Sequence, residues 1–324
     1  MRCFISDSND PYFNLATEEY LLKNYSDDIL MFYINESCIV IGKHQNLLSE
    51  INLPFTIENN IKLARRISGG GTVYQDSNNI NFSFIQNSSN IERINFEIFT
   101  APIINTLKSL GLNAYFSERH DILIDDKKIS GNAMHVYRNR VLSHGTLLYN
   151  SDLNHLSLAL KNRPEKYVDK SIKSVKSKVA NINTYLNSDL STLEFTQMLL
   201  KAIMSDVDLN TNLNLEEIKN INRLSDEKFK SWEWTYGYSP PYNFRNTMNI
   251  INDEIEFTIE VNKGIIKNIE INCIGNNQNH YRNFFDSLIG IKHDYQSILR
   301  MMNNHNSKNL LVHVELSQLS RLLF

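Results

Sequence analysis

Apolar positions fall in short blocks whose periodicity changes along the chain, and each change marks an element. Residues 1–6 predict a short strand. Asp10-Pro11 then supplies a helix cap followed by proline at the first helical position, and an amphipathic helix is predicted to about Asn24. "ILMFYI" (29–34) and "SCIVIG" (37–42) are β-branched apolar runs separated by Asn35-Glu36, which predicts a strand pair. "NINFSFI" (79–85) alternates strictly, with Ile80, Phe82 and Phe84 on one face and Asn81 and Ser83 on the other. A helical period runs from Asn95 to Leu110 and stops at Gly111. "DILIDDKKISGNA" (121–133) predicts strand, Asp-Asp turn, strand, and "MHVYRNRVLSHGTLLYN" (134–150) predicts a hairpin turning near Asn139-Arg140, with a helix from Asp152 to Lys161. Residues 192–230 read as helices with polar connectors, and strands are predicted at 253–261 and 264–273 before a helical final fifty residues. Antiparallel hairpins mixed with helices predict an α+β fold with mainly antiparallel sheets flanked by helices, joined to a small α+β C-terminal domain. The shift of composition near 240–250 places the boundary between domains 1–245 and 246–324.

Composition narrows the class. At 324 residues, 42% hydrophobic, 21% charged and a net charge of −3, the chain reads as an ordinary globular protein of one main and one smaller domain. That charge argues against a general nucleic-acid binder, which needs a strong positive field. No apolar run is long enough to predict a membrane span, and "MRCFISDSNDPYF" has no apolar core like that of a signal peptide, so a cytoplasmic location is expected. Cys3, Cys38 and Cys273 are far apart and form no CxxC; reduced, buried thiols are expected, with no metal site. Nothing in the sequence demands more than a monomer.

Four stretches could carry chemistry. In "RRISGGGTVYQD" (65–76), three glycines leave bare backbone whose N–H groups can form an anion nest beside Arg65 and Arg66. A flexible hairpin turn with a solvated arginine pair fits the composition equally well. In "KKISGNA" (127–133), alternation puts Lys128 and Ser130 on one face with Ile129 inward. A lysine fixed on a strand can stabilise charge on a phosphate or carbonyl oxygen; a solvated turn lysine is the plainer alternative, assigned here to Lys127. His144 in "SHGTLL" is either a ligand contact or a strand-end histidine. Lys170, Lys173, Lys176 and Lys178 in "DKSIKSVKSKV" either cover a phosphate or form a solvated face.

Taken in order, "NLATEEYLL", "GKHQN", "RRISGGGTVYQD", "NINFSFI", "KKISGNA", "HGTLL" and "SIKSVKSKV" resemble the lipoate–protein ligases, from about residue 10 to the C-terminus, with "WEWTYGYSPPYNF" (232–244) similar to the bridge into an accessory domain. The resemblance implies the biotin/lipoate ligase fold and a two-step reaction. ATP with Mg²⁺ and lipoate give lipoyl-adenylate, and a lysine of an acceptor domain then takes the lipoyl group. The implied acceptors are lipoyl domains of 2-oxoacid dehydrogenases and the glycine-cleavage H protein. It implies Arg66, Gly71, Thr72, Val73, Tyr74, Lys128 and Asp121 as adenylate contacts, with Asp121 near phosphates and metal. It implies Gly69, Gly70, Lys128, His144 and Gly145 on the lipoate side, Lys128 as the catalytic residue, and Lys173 to Val175 in a loop that closes over the adenylate. The walls of the lipoyl tunnel are not named by it. Gln75 and His120 depart from the family's usual His and Asn at those positions. An octanoyl- or lipoyl-transferase of the same fold, which would use a cysteine as acyl carrier, and a non-catalytic lipoate binder are the competing expectations.

Overall fold

The computed structural model describes residues 1–88, 95–186, 188–204, 212–250, 253–274, 278–303 and 322–324. Among these residues the strands are β1 (Arg2–Ile5), β2 (Ile29–Tyr33), β3 (Cys38–Ile41), β4 (Lys62–Arg65), β5 (Val73–Gln75), β6 (Asn79–Asn87), β7 (Ala114–Phe116), β8 (Asp121–Ile124), β9 (Lys127–Tyr137), β10 (Arg140–Leu148), β11 (Tyr167–Asp169), β12 (Tyr242–Ile250), β13 (Asp253–Asn262) and β14 (Ile265–Ile274). The helices are α1 (Pro11–Asn24), α2 (Leu47–Glu50), α3 (Leu53–Glu58), α4 (Phe96–Ser109), α5 (Leu153–Ala159), α6 (Thr192–Ile203), α7 (Leu215–Leu224), α8 (Gln278–Asp286) and α9 (Tyr295–Asn303). None is long and apolar enough to cross a membrane. The chain folds into two compact units, one of residues 1–43, 61–160 and 174–231, the other of 44–60, 161–173 and 232–324.

The first unit holds a seven-stranded sheet in the order β1-β2-β6-β10-β9-β8-β7 and a three-stranded sheet in the order β4-β3-β5. Only β1/β2 and β3/β4 run parallel, so the sheets are mixed and mainly antiparallel, as the hairpin-rich sequence predicts. Ile80, Phe82, Val141, Leu147, Phe195 and Leu199 sit in its core, with Phe195 stacked on Tyr149 at 4.4 Å. The predicted pairing of 29–34 with 37–42 is not what forms. β2 joins β6 and β1, while β3 leaves for the smaller sheet between β4 and β5. Both strands, β2 and β3, are buried at every position, and a strand with no polar face carries no signal for its partner. The connection is also pulled away locally, because Glu36 N–H donates to the Asn9 carbonyl and Lys62 N–H to that of Ser37.

Three local predictions are met with a physical cause in view. Asp10 accepts from Tyr12 N–H at 3.1 Å and caps α1, with Pro11 at its start. Gly111 ends α4 in the left-handed region at φ +82°. Asp125 and Asp126 turn the β8–β9 hairpin, both at positive φ. The strict alternation of β6 misleads in one respect: Asn81 and Ser83 are buried as well, because α1 covers the polar face.

The second unit is built on the antiparallel sheet β11-β12-β13-β14. β13 alternates buried and exposed along its length, presenting Ile255, Phe257, Ile259 and Val261 inward, and Phe257 packs on Phe285 of α8 at 5.0 Å. His293 is buried there. Tyr242 O–H faces its Nδ1 at 2.7 Å and its Nε2 faces the Leu323 carbonyl at 2.8 Å, and burial pulls the imidazole down to about 4. The carbonyl can only accept, so Nε2 carries the proton.

Candidate functional site

The glycine run is shaped from below by Arg66. This side chain is only 6% exposed, and burial pulls its guanidinium down to about 10, against the pull of Glu18. Its Nε donates to Ser68 Oγ at 3.0 Å, one terminal nitrogen to the Val40 carbonyl at 3.1 Å, and the other to the carbonyls of Gly69 and Gly71 at 2.6 and 2.8 Å. Four of its five N–H groups are thereby spent on the protein itself. Gly70 is forced by the same turn, with φ +86° and the Arg66 guanidinium 3.0 Å from where a Cβ would stand. Arg65 is fully buried and donates to the carbonyls of Gly42 and Lys43.

The turn lies against the strand that carries Lys128, since Ala133 Cβ is 3.8 Å from the position of a Gly70 Cβ. In that strand the register slips between Ile122 and Leu123: Ile122 pairs with Ser130 and Leu123 with Lys128, leaving Ile129 as the extra residue. Alternation therefore fails across Lys128–Ser130. Ile129 and Ser130 are both buried, while the Lys128 side chain keeps 25% of its surface open. Lys128 Nζ pairs with Asp121 Oδ1 at 2.8 Å, and the side chain lies across Gly131, whose Cβ would meet Nζ at 3.0 Å. The backbone of Lys128 is fixed on both sides, donating to the Lys178 carbonyl and accepting from Ala180 N–H.

Ser174 closes the far side of the turn, where its hydroxyl accepts from Thr72 N–H at 2.9 Å. Val73 and Tyr74 continue into β5 and pair with Val40 and Ile39 of β3; Tyr74 is buried, and burial raises its phenol. Gly145 is glycine for a packing reason: a Cβ there would stand 2.6 Å from the Phe82 ring and closer still to Asn132 Oδ1. His144 is buried, with Nδ1 on the Glu18 carboxylate at 2.9 and 3.0 Å and Nε2 on Ser68 Oγ at 2.6 Å. Tyr33 O–H donates to the same Glu18 at 3.0 Å, and Ser83 O–H does so by a short bond.

Thus Arg66, Gly70, Gly71, Thr72 and His144 are joined through direct contacts or a shared neighbour, while Asp121 and Lys128 pair with each other beside Gly131, farther along the strand whose Ala133 meets the turn. Lys173 instead lies in the second unit, on Asp169 at 2.9 Å, and Lys170, Lys176 and Lys178 are exposed. Gln75 accepts from Asn35 at 2.7 Å and from the Cys38 thiol in a buried amide chain that continues to Asn14. His120, at φ +64°, stacks on Phe96 at 4.1 Å. Sequence reasoning missed Glu18 and Ser68. Asn14 and Glu18 stand four apart on the buried side of α1, a polar pair where a core face should be apolar, which is a readable signal.

The cysteines do not resemble acyl carriers. Cys3 and Cys38 are buried and burial drives both thiols up, Cys38 far up. Cys273, in the second unit, is also raised by burial.

Residues 10–204 match the family model described as the lipoyl protein ligase A/B catalytic domain, and residues 239–323 match the bacterial lipoate protein ligase C-terminus. Lipoate–protein ligase 1 of Staphylococcus aureus is 39% identical over 99% of both chains. A lipoate-protein ligase A solved with ATP superposes with a TM-score of 0.63 at 26% identity, covering 73% of this chain and 98% of its own. The bipartite lipoate protein ligase of Thermoplasma acidophilum, described together with its E2 lipoyl domain, gives 0.63 at 26% identity over 73% and 96%. The glycine turn framed by Arg66, the strand-held Lys128 and these matches over both parts of the sequence establish that the chain belongs to the lipoate–protein ligase family.

Proposed function

We infer that this chain is an ATP-dependent enzyme that activates lipoate and passes the lipoyl group to a protein lysine. In the first step a lipoate carboxylate oxygen attacks the α-phosphorus of ATP, an O–P bond forms, and pyrophosphate leaves. In the second, the acceptor ε-amine attacks the lipoyl carbonyl carbon, the C–N bond forms as C–O breaks, and AMP departs after the amine loses a proton. Both steps build negative charge at oxygens shared by the acyl and phosphate groups. Lys128 is the catalytic residue in this reading: its ammonium holds the α-phosphate and the acyl carbonyl oxygen together, acting by positioning and electrostatics. The observation that carries it is the Asp121–Lys128 ion pair at 2.8 Å on a strand held by the backbone of Lys178 and Ala180, the same strand whose Ala133 meets the glycine turn.

Gly69, Gly70, Gly71 and Thr72 form the adenylate turn, with Val73 and Tyr74 as its anchor in β5 and Arg66 as its frame. His144 and Gly145 stand on the lipoate side. Mg²⁺ binds through one or two carboxylates with substrate phosphates and waters. Among the described residues no group of three or more His, Cys, Asp and Glu could hold an ion. Asp121 is the carboxylate of this site that would face Mg²⁺ arriving on the ATP phosphates, and the ion would offset charge on the leaving pyrophosphate. Residues 1–245 form the catalytic domain and 246–324 the accessory domain in this proposal, working in the cytoplasm as a monomer. The acceptors are lipoyl domains of 2-oxoacid dehydrogenases and the glycine-cleavage H protein. Lipoate, Mg-ATP and an acceptor domain should give an acceptor heavier by one lipoyl group. Transfer from a lipoyl- or octanoyl-carrier protein without ATP would instead establish a transferase, and absence of lipoate-dependent ATP–pyrophosphate exchange would leave only a binder.

A further inference from the structure

The four side chains Glu18, His144, Ser68 and Arg66 form one buried hydrogen-bonded chain that ends on the glycine turn. Arg66 Nε–H can only donate, so Ser68 Oγ accepts from it. Ser68 Oγ keeps its own proton and a second lone pair, and with these it meets His144 Nε2 at 2.6 Å. Nδ1 faces the Glu18 carboxylate, which only accepts, so Nδ1 carries a proton and donates to it; the same carboxylate accepts from Tyr33 and Ser83. Both ring nitrogens of His144 are consumed, so its imidazole has no N–H left to offer a substrate. At the other end, Arg66 draws the carbonyls of Gly69 and Gly71 toward its guanidinium, which sets the orientation of the peptide units between them.

We propose that Ser68 is a positioning residue for adenylate formation: it joins the Glu18–His144 pair to Arg66 and so fixes the shape of the glycine turn. Ser68 is 1% exposed, so it acts through the groups it bonds. Without its hydroxyl, Arg66 Nε and His144 Nε2 both lose their partner in a dry setting, and the guanidinium is free to turn away from the two glycine carbonyls. Because the turn serves the nucleotide, the defect should fall on ATP before it falls on lipoate.

The role in adenylate formation rests on the ligase function proposed above; the hydrogen-bonded link from His144 through Ser68 to Arg66 does not, and the two fail separately. Nitrogen-15 NMR of the His144 ring in the wild-type chain should show a protonated Nδ1, and Ser68→Ala should shift the Nε2 resonance. In lipoate-dependent ATP–pyrophosphate exchange, Ser68→Ala should raise KM for ATP about tenfold or more while KM for lipoate changes less than about threefold, and Ser68→Thr, which restores a hydroxyl, should recover most of the loss. Thermal melting of both variants accompanies the kinetics. An Nε2 resonance unmoved in a folded Ser68→Ala, an unchanged KM for ATP in that variant, or a folded Ser68→Thr without recovery would each overturn the proposal. So would failure of both variants to fold, which would make Ser68 a folding element. A wild-type chain without exchange activity would instead count against the ligase function, leaving the nitrogen spectrum to judge the relay.

Discussion

Gly145→Ala is the perturbation with the largest effect for the smallest chemical change. Gly145 lies in β10 opposite Phe82 of β6 on one side and Asn132 of β9 on the other. An added Cβ would meet two Phe82 ring carbons at 2.6 and 2.9 Å and Asn132 Oδ1 closer still. Phe82 is fully buried in the main core and has nowhere to retreat. Overpacking of this kind costs about 1–3 kcal/mol. Asn132 donates to the His120 carbonyl at 2.8 Å and accepts from Ser130 at 3.4 Å, so swinging it aside loses about 1 kcal/mol more. The sum, about 2–4 kcal/mol, corresponds to a melting point lowered by roughly 5–10 °C for the first unit. Calorimetry or far-UV dichroism reads this directly. Asn132→Ala removes one of the two obstructing groups, so the double variant should recover about 1 kcal/mol relative to additivity. A Gly145→Ala chain that melts within about 1 °C of the parent would show that β10 does not sit in this register, and the placement of His144 beside it would fall too.

Other expectations are quicker to state. Lys128→Ala should leave the melting curve near that of the parent but slow lipoate-dependent ATP–pyrophosphate exchange by a hundredfold or more, on the order of what one preorganised charge contributes in a dry site; near-normal exchange would make the lysine peripheral. Asp121→Asn keeps the shape and removes the charge that holds Lys128, so KM for ATP should rise about tenfold with the fold intact, read in the same assay. Replacing Cys3, Cys38 and Cys273 together with alanine should leave ATP-dependent ligation within about threefold of the parent, because no step forms an acyl-thioester; abolished transfer in a chain that still melts normally would restore the cysteine-carrier alternative. For Glu217, burial opposes ionisation, yet bonds from Arg2, Tyr25 and Asn214 N–H outweigh it and hold the carboxyl at about 2. A depressed carboxylate pKa stabilises the fold above the ordinary value and is lost as pH falls toward 2. The difference in unfolding free energy between the parent and Glu217→Gln should therefore shrink across pH 4.5 to 2.5, by at most about 3 kcal/mol; a pH-independent difference would contradict it.

How much of this fold was legible depends on whether an element carries its own punctuation. Asp10-Pro11, Gly111 and Asp125-Asp126 each fix backbone dihedrals within two or three residues, so α1, the end of α4 and the β8–β9 hairpin could be placed from local chemistry. Partner choice is a different problem. β2 and β3 are adjacent in sequence and alike in composition, yet they enter different sheets, because burial on both faces erases the alternation that would identify an edge. The bulge at Ile129 escaped for a related reason: an extra residue in a strand leaves no compositional mark unless it is glycine, and here it is a buried isoleucine.

The site divides along the same line, and Arg66 shows why. From sequence, an arginine beside three glycines is a free cation next to an anion nest, and that picture assigns it to phosphate. Folding instead places its guanidinium under the turn, where the carbonyls of Gly69 and Gly71 claim it before any ligand arrives. A charged side chain that is 6% exposed must find most of its partners inside the protein, so its contribution passes through the backbone it holds. Residue type suggested an anion at this turn; it could not announce that the arginine's own bonds go to the backbone of the turn. The same holds for His144, whose two nitrogens face Glu18 and Ser68. Lys128 differs because Asp121 takes only one of its donors, its side chain stays a quarter open, and the strand beneath it is pinned. In the reaction proposed here, the chemistry is assigned to the residue that keeps unspent hydrogen-bonding capacity at an open surface, and the frame to the buried charges of the turn.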